Sequence, residues 1–216
     1  MLVKNWDRIW EKKKFLTNLY PTNNIIAFYE YHLSTLKKKS KILDCGCGNG
    51  RNFKYLVEKG FDLYGTDTSA HVIKNNRKNF REFENKFYLG DIKVLKFRSN
   101  YFDAVISEAS IYYQSIKNIK ETINKFYELL KPNGFLRVYT KSINDNFFMN
   151  FKKNKSIEYI VNKKKHWENG LMMSFLNIRD INNIFKKFKD VNIGVEEFNY
   201  INLKKKHSFY IITAKK

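Results

Sequence analysis

Cysteine is nearly absent from this chain. It has two in 216 residues, Cys45 and Cys47. Two cysteines one residue apart cannot staple a domain, and no second pair exists to complete a zinc site. No other metal-ligand pattern is read from the chain, so no metal is expected. Proline is scarcer still for this length, with only Pro21 and Pro132 to interrupt regular elements. No apolar run reaches the roughly 18 residues that a spanning helix needs. The opening Met1-Leu2-Val3-Lys4-Asn5-Trp6-Asp7 has no apolar core of a signal peptide. The expectation is a cytoplasmic protein without membrane association.

Arginine is also rare. The net charge of +20 comes from 34 Lys and only 7 Arg against 21 acidic residues. Such a charge invites a nucleic-acid reading. Yet Asn reaches 26, and Lys and Asn share A-rich codons, so a biased genome inflates both. The lysine triplets at 12–14, 37–39, 163–165 and 204–206 are scattered, and arginine is the usual bidentate reader of phosphate and base. A nucleic-acid partner is therefore disfavoured.

What is present is a globular composition, 43% hydrophobic and 17% aromatic, in a length that suits one domain. Residues 5–20 and 23–37 read as helices. Strands are expected near 41–45, 62–67, 87–90, 102–107 and 134–140, with helices near 50–59, 69–80 and 117–130 between them. Strands alternating with amphipathic helices predict an α/β fold with a parallel sheet covered on both faces. After Thr140 the alternation breaks. Residues 142–176 are lysine-rich and aromatic and fit an insertion better than a sheet element. Ile178–Phe188 reads as a helix, then 191–200 and 208–214 as two strands.

The densest signal is Ile42-Leu43-Asp44-Cys45-Gly46-Cys47-Gly48-Asn49-Gly50-Arg51-Asn52. A strand end passes into a helix through glycines on alternate positions. Glycines there let a ligand approach the backbone, and the following helix offers free N–H groups. Asp67 lies 21 residues past Gly46 at the end of the second strand, where an acid can bond ribose hydroxyls.

The run Asp-x-Gly-x-Gly-x-Gly resembles the first motif of class I S-adenosylmethionine (SAM)-dependent methyltransferases. Phe87-Tyr88-Leu89-Gly90-Asp91-Ile92 resembles their third-strand motif, Phe102–Glu108 their fourth strand, and Leu129–Phe135 their turn into the fifth. The resemblance runs from about residue 40 to 141, closest to stand-alone bacterial small-molecule enzymes. It implies a seven-stranded, mostly parallel sheet with the last strand antiparallel. It implies one domain over 1–216, with an N-terminal helical cap at 1–38 and a substrate lid at 142–176.

The resemblance also implies SAM as cofactor and S-adenosylhomocysteine as product. Gly46, Cys47 and Gly48 would present backbone to the methionine part, with Asp44 in support. Asp67 and Thr68 would take the ribose, Asp91 and Ile92 the adenine, and Ser107 and Glu108 would lie below the sulfonium. Arg51 either reaches the methionine carboxylate or caps the turn. Trp6 and Trp10 share a helix face, with core packing preferred over closure across the cofactor. For catalysis the candidates are Tyr113, of the pair Tyr112-Tyr113 after strand four, and His166 in the lid. A surface histidine is the commoner alternative for His166. The expected acceptor is an O or N atom of a small molecule or sugar-type glycan precursor, ahead of RNA or protein, or a non-catalytic SAM-binding subunit.

Overall fold

The computed structural model describes residues 2–12, 20–149, 157–162, 167–200 and 205–216. His166 lies outside the described residues. Helix α1 (Leu2–Lys12) is followed by α2 (Asn23–Tyr31). Thr22 caps α2 by accepting the Ile25 N–H, which satisfies one donor that the first turn leaves free.

A seven-stranded sheet then forms from β1 (Lys41–Cys45), β2 (Asp62–Asp67), β3 (Phe87–Leu89), β4 (Phe102–Ser107), β5 (Leu130–Lys141), β8 (Lys189–Tyr200) and β9 (Lys205–Lys215). Helices α3 (Arg51–Glu58), α4 (Ala70–Asn79) and α5 (Ile116–Leu129) make the crossovers. The spatial order is β3-β2-β1-β4-β5-β9-β8. Only β9 runs against its neighbours, pairing antiparallel with β5 (Val138 opposite Ile212) and with β8 (Ile193 opposite Ile212). The sheet order reverses beside β1, and there the crevice for a ligand opens at the strands' carboxyl ends.

Central strands are apolar on both sides because helices cover both faces. On one face Leu43, Val105, Leu136 and Ile212 pack under α5 and under α7 (Ile178–Ile184). Ile119, Ile123 and Phe126 of α5 share the buried stripe at helical spacing. On the other face Ile42, Ala104 and Ile106 meet Ile25 and Phe28 of α2 and Phe53 and Leu56 of α3.

Three expectations need correction. β5 starts at Leu130, not 134, since the Pro132-Asn133-Gly134 turn is carried as an irregularity where the β4–β5 register shifts. α7 ends at Ile184, short of Phe188. The segment 142–176 does contain sheet: β6 (Glu158–Ile160) pairs antiparallel with β7 (Met172–Ser174), after the short helix α6 (Asn146–Met149). Tyr159, Val161, Leu171, Met173 and Phe175 are buried together, while Ile160 faces outward. This is period-two patterning, hidden in the sequence by Lys163-Lys164-Lys165 between its two halves.

Candidate active site

The turn after β1 is shaped by backbone that side chains cannot follow. Gly46 has φ +77°, and a Cβ there would stand 2.4 Å from Ser110 Cβ. Gly48 has φ +50°, and its vacant Cβ position lies 3.1 Å from the Trp10 indole. The turn is tied down on several sides. Gly46 and Cys47 donate their N–H groups to Thr66 O at 2.8 and 3.0 Å. Asn76 Nδ2 of α4 donates to Gly48 O at 2.7 Å.

Asp67, at the end of β2, faces this turn. Its Oδ2 accepts from Gly48 N at 3.1 Å and its Oδ1 from Ser69 N at 2.9 Å. Burial pushes its carboxyl up to about 6, against those backbone donors. Thr68 stands beside it, partly buried. Ser69 caps α4 and donates to Asp7 Oδ1 at 2.5 Å, which also accepts from His71 N at 3.1 Å. Asp7 thereby pins α1 across the glycine turn. Of the two tryptophans, Trp10 lies against Gly48, while Trp6 packs edge-on against Tyr113 with ring centroids 4.8 Å apart.

Asp44 is fully buried, and neither carboxylate oxygen has a hydrogen-bond partner among the described residues. Burial first, then the Glu108 charge, raise its carboxyl to about 7, with Arg51 opposing. A buried acid without donors is costly in a closed protein and calls for a partner from outside. The cysteines fill space: Cys47 sits in the core with Phe53 and Ile73, and burial raises both thiols, Cys45 to about 12. Thiols raised in this way are poor nucleophiles at neutral pH.

The third strand's motif is brought near the same edge. Asp91 Oδ1 accepts from Lys93 N at 2.9 Å, and its side chain is partly exposed. Ile92 is packed in the core, so its side chain is not offered to a ligand. Ser107 Oγ meets Ser110 Oγ at 3.0 Å, and Ser110 Oγ donates to Cys45 O at 3.1 Å, fastening β4 to β1. Tyr113 is buried beneath the 142–176 segment, where its hydroxyl donates to Glu168 Oε1 at 2.6 Å.

Glu108 turns to the opposite face of the sheet from Ser107. There a cavity of about 350 Å³ opens between the start of α2, the first residue of α3, and the ends of β4, β5 and β8. Its polar lining includes Thr22, Asn24, Arg51, Glu108, Tyr139 and Glu196. Thr22 Oγ1 donates to Glu108 Oε1 at 3.2 Å, while the buried Oε2 has no partner. Asn24 Nδ2 donates to Glu196 Oε2 at 2.6 Å. Arg51 lines this cavity and also bears on Asp44, so cavity and glycine turn adjoin.

Several of these residues escape a motif reading. Asp7 is signalled only as an acid in a basic helix, Thr22 by the Pro-Thr helix start, and Glu196 by an acid pair on an apolar strand. Among the described residues no group of three or more His, Cys, Asp or Glu could hold a metal ion. No helix among them is long and apolar enough to cross a membrane.

Glycine cradle, second-strand acid and sheet order together define the class I methyltransferase fold. Residues 43–138 match the family model described as a methyltransferase domain, and the whole chain has the class I methyltransferase fold. It is 32% identical over 135 residues to the phosphoethanolamine N-methyltransferase of Plasmodium falciparum, covering 60% of this chain and 48% of that one. It is 29% identical over 143 residues to the sterol 24-C-methyltransferase erg6 of Schizosaccharomyces pombe, covering 62% and 37%. The chain thus spans half or less of the length of these two relatives. A SAM-dependent methyltransferase of Methanosarcina mazei superposes with a TM-score of 0.71 at 19% identity, over 85% of this chain and 95% of that one.

Proposed function

We propose that this protein transfers a methyl group from SAM to an O or N atom of a small molecule or glycan precursor. The observation that carries the reading is the half-open cavity beside the glycine turn. At about 350 Å³ it has the size of a metabolite site, not of a nucleic-acid groove.

SAM, when bound, supplies an activated methyl on a sulfonium, so the protein's task is chiefly to hold and aim. The residues present fit such a group. Gly46, Cys47 and Gly48 would offer backbone to its methionine part, and Asp44, now without donors, would accept from its ammonium directly or through water. Arg51 would meet its carboxylate. Asp67 and Thr68 would hold the ribose, Asp91 and the Ile92 backbone the adenine, and Ser107 would keep β4 in place beneath. Helix α1, pinned by Asp7, would exclude water. Orientation of two bound reactants alone lowers a barrier by roughly 7–11 kcal/mol. The segment 142–176 would shield the acceptor side as a lid, with Tyr113 fixing it through Glu168.

The test is incubation with methyl-labelled SAM and desalted source-cell fractions. Label in the metabolite or glycan fraction is the expected result. Label confined to RNA or protein would contradict it and turn attention to the lysine faces, whose binding would then fall steeply with salt.

A further inference from the structure

The acid content of the cavity is out of keeping with the chain around it. The protein has 41 basic and 21 acidic residues, yet the cavity's charged lining is Glu108 and Glu196 against Arg51 alone. Glu108 is 7% exposed, and its Oε2 has no donor. The groups bearing on Glu108 are Arg137 from β5, Arg51 from α3, Thr22 before α2, Glu196 from β8 and Asp44 from β1. Arg137 lies behind the cavity, its guanidinium 6.0 Å from the Phe28 ring centroid, and Arg51 is shared with Asp44. Neither guanidinium satisfies Glu108 Oε2. Tyr139, Phe198 and Tyr20 add aromatic surface to the same lining.

Two carboxylates side by side in a half-open, partly aromatic cavity, one of them buried with an unpartnered oxygen, favour a cation with N–H donors. We infer that this cavity is the acceptor pocket and that it takes a small primary or secondary ammonium, with the Glu108 carboxylate as its proton acceptor and Glu196 as its second anchor. This rests on the methyltransferase reading and narrows its acceptor to nitrogen. An ammonium has no lone pair to offer. Transfer of one N–H proton to Glu108 leaves a neutral amine with its pair free and a protonated carboxyl on the protein, so charge and protons balance. Burial raises the Glu108 carboxyl to about 7, against Arg137 and Arg51, which suits a group that must both release and take a proton near neutrality.

The experiment uses the full chain saturated with S-adenosylhomocysteine. Propylammonium, propan-1-ol and propionate are titrated by ligand-observed NMR into wild type, Glu108→Gln and Glu196→Gln. Propylammonium is expected to bind about tenfold more tightly than the alcohol, and propionate not at all. Each substitution is expected to remove about tenfold of the ammonium affinity while the variant still binds S-adenosylhomocysteine and melts cooperatively. Between about pH 6 and pH 8 ammonium binding should tighten in wild type, as Glu108 ionises, and tighten clearly less in Glu108→Gln, where Asp44 alone of the two still ionises. Propionate binding better than propylammonium would overturn the inference, as would an alcohol equal to the ammonium or an affinity unmoved in both variants. Failure of wild type to bind S-adenosylhomocysteine would instead overturn the methyltransferase reading itself.

Discussion

Gly48 donates its backbone N–H to Asp67 Oδ2 at 3.1 Å, closing a contact between residues 19 apart in sequence. The same carboxylate thus shapes the glycine turn and faces the ligand crevice. Asp67→Ala should weaken S-adenosylhomocysteine binding by about tenfold to a hundredfold, since charge-assisted bonds of roughly 1.5–3 kcal/mol are lost. Asp67→Asn keeps an oxygen for Gly48 and should lie between the two. Calorimetric titration of the three proteins checks the order.

Gly46→Ala is expected to destabilise the protein by about 1–3 kcal/mol, because its φ of +77° is unfavourable for a side chain and the Cβ would collide with Ser110. Urea unfolding of the variant measures this. Ser110→Gly added to it should restore part of the loss by removing the collision but not the backbone strain.

Asp44 makes a pH prediction with a definite sign. Its folded pKa is raised to about 7 from 3.8, so the folded state holds the proton more tightly than the unfolded chain. That contribution to stability is complete near about pH 4 and is lost as pH rises through about 7. Glu108 and Asp67 shift in the same direction. Ligand-free Asp44→Asn should therefore gain more Tm over wild type at about pH 8 than at about pH 5, while binding SAM more weakly. Scanning calorimetry against pH reads the first effect and titration the second.

Lys141 Nζ and Asp145 Oδ2 form a buried pair at 2.7 Å, and Asp145 Oδ2 also accepts from Ser208 N at 3.0 Å. Asp145→Ala leaves the Lys141 ammonium buried without its counter-ion and should cost about 3–5 kcal/mol. Replacing both as Lys141→Met with Asp145→Ala should cost less than the single change. Denaturant melts of both variants decide it.

The sheet and the glycine turn with its facing acid were legible because they are local. Asp44 through Arg51 are contiguous, and Asp67 and Asp91 end strands whose apolar runs mark them. The cavity lined by Glu108 and Glu196 was not, because it is assembled across the chain. Asn24 meets Glu196 over 172 positions, and Thr22 meets Glu108 over 86. No spacing rule links such pairs. The β6–β7 hairpin was hidden for another reason: three lysines split its alternating pattern. The position of α1 rests on Asp7 with Ser69 and His71 and on Trp6 against Tyr113, contacts that no periodicity encodes.

The most direct test of the central claim is calorimetric titration of the purified protein with S-adenosylhomocysteine, run beside Asp67→Ala. One molecule bound per chain, markedly weaker in the variant, is the expected result. No binding to a folded wild-type protein, even at about millimolar ligand, would contradict the account, and the glycine cradle would then be a fold that has lost its chemistry.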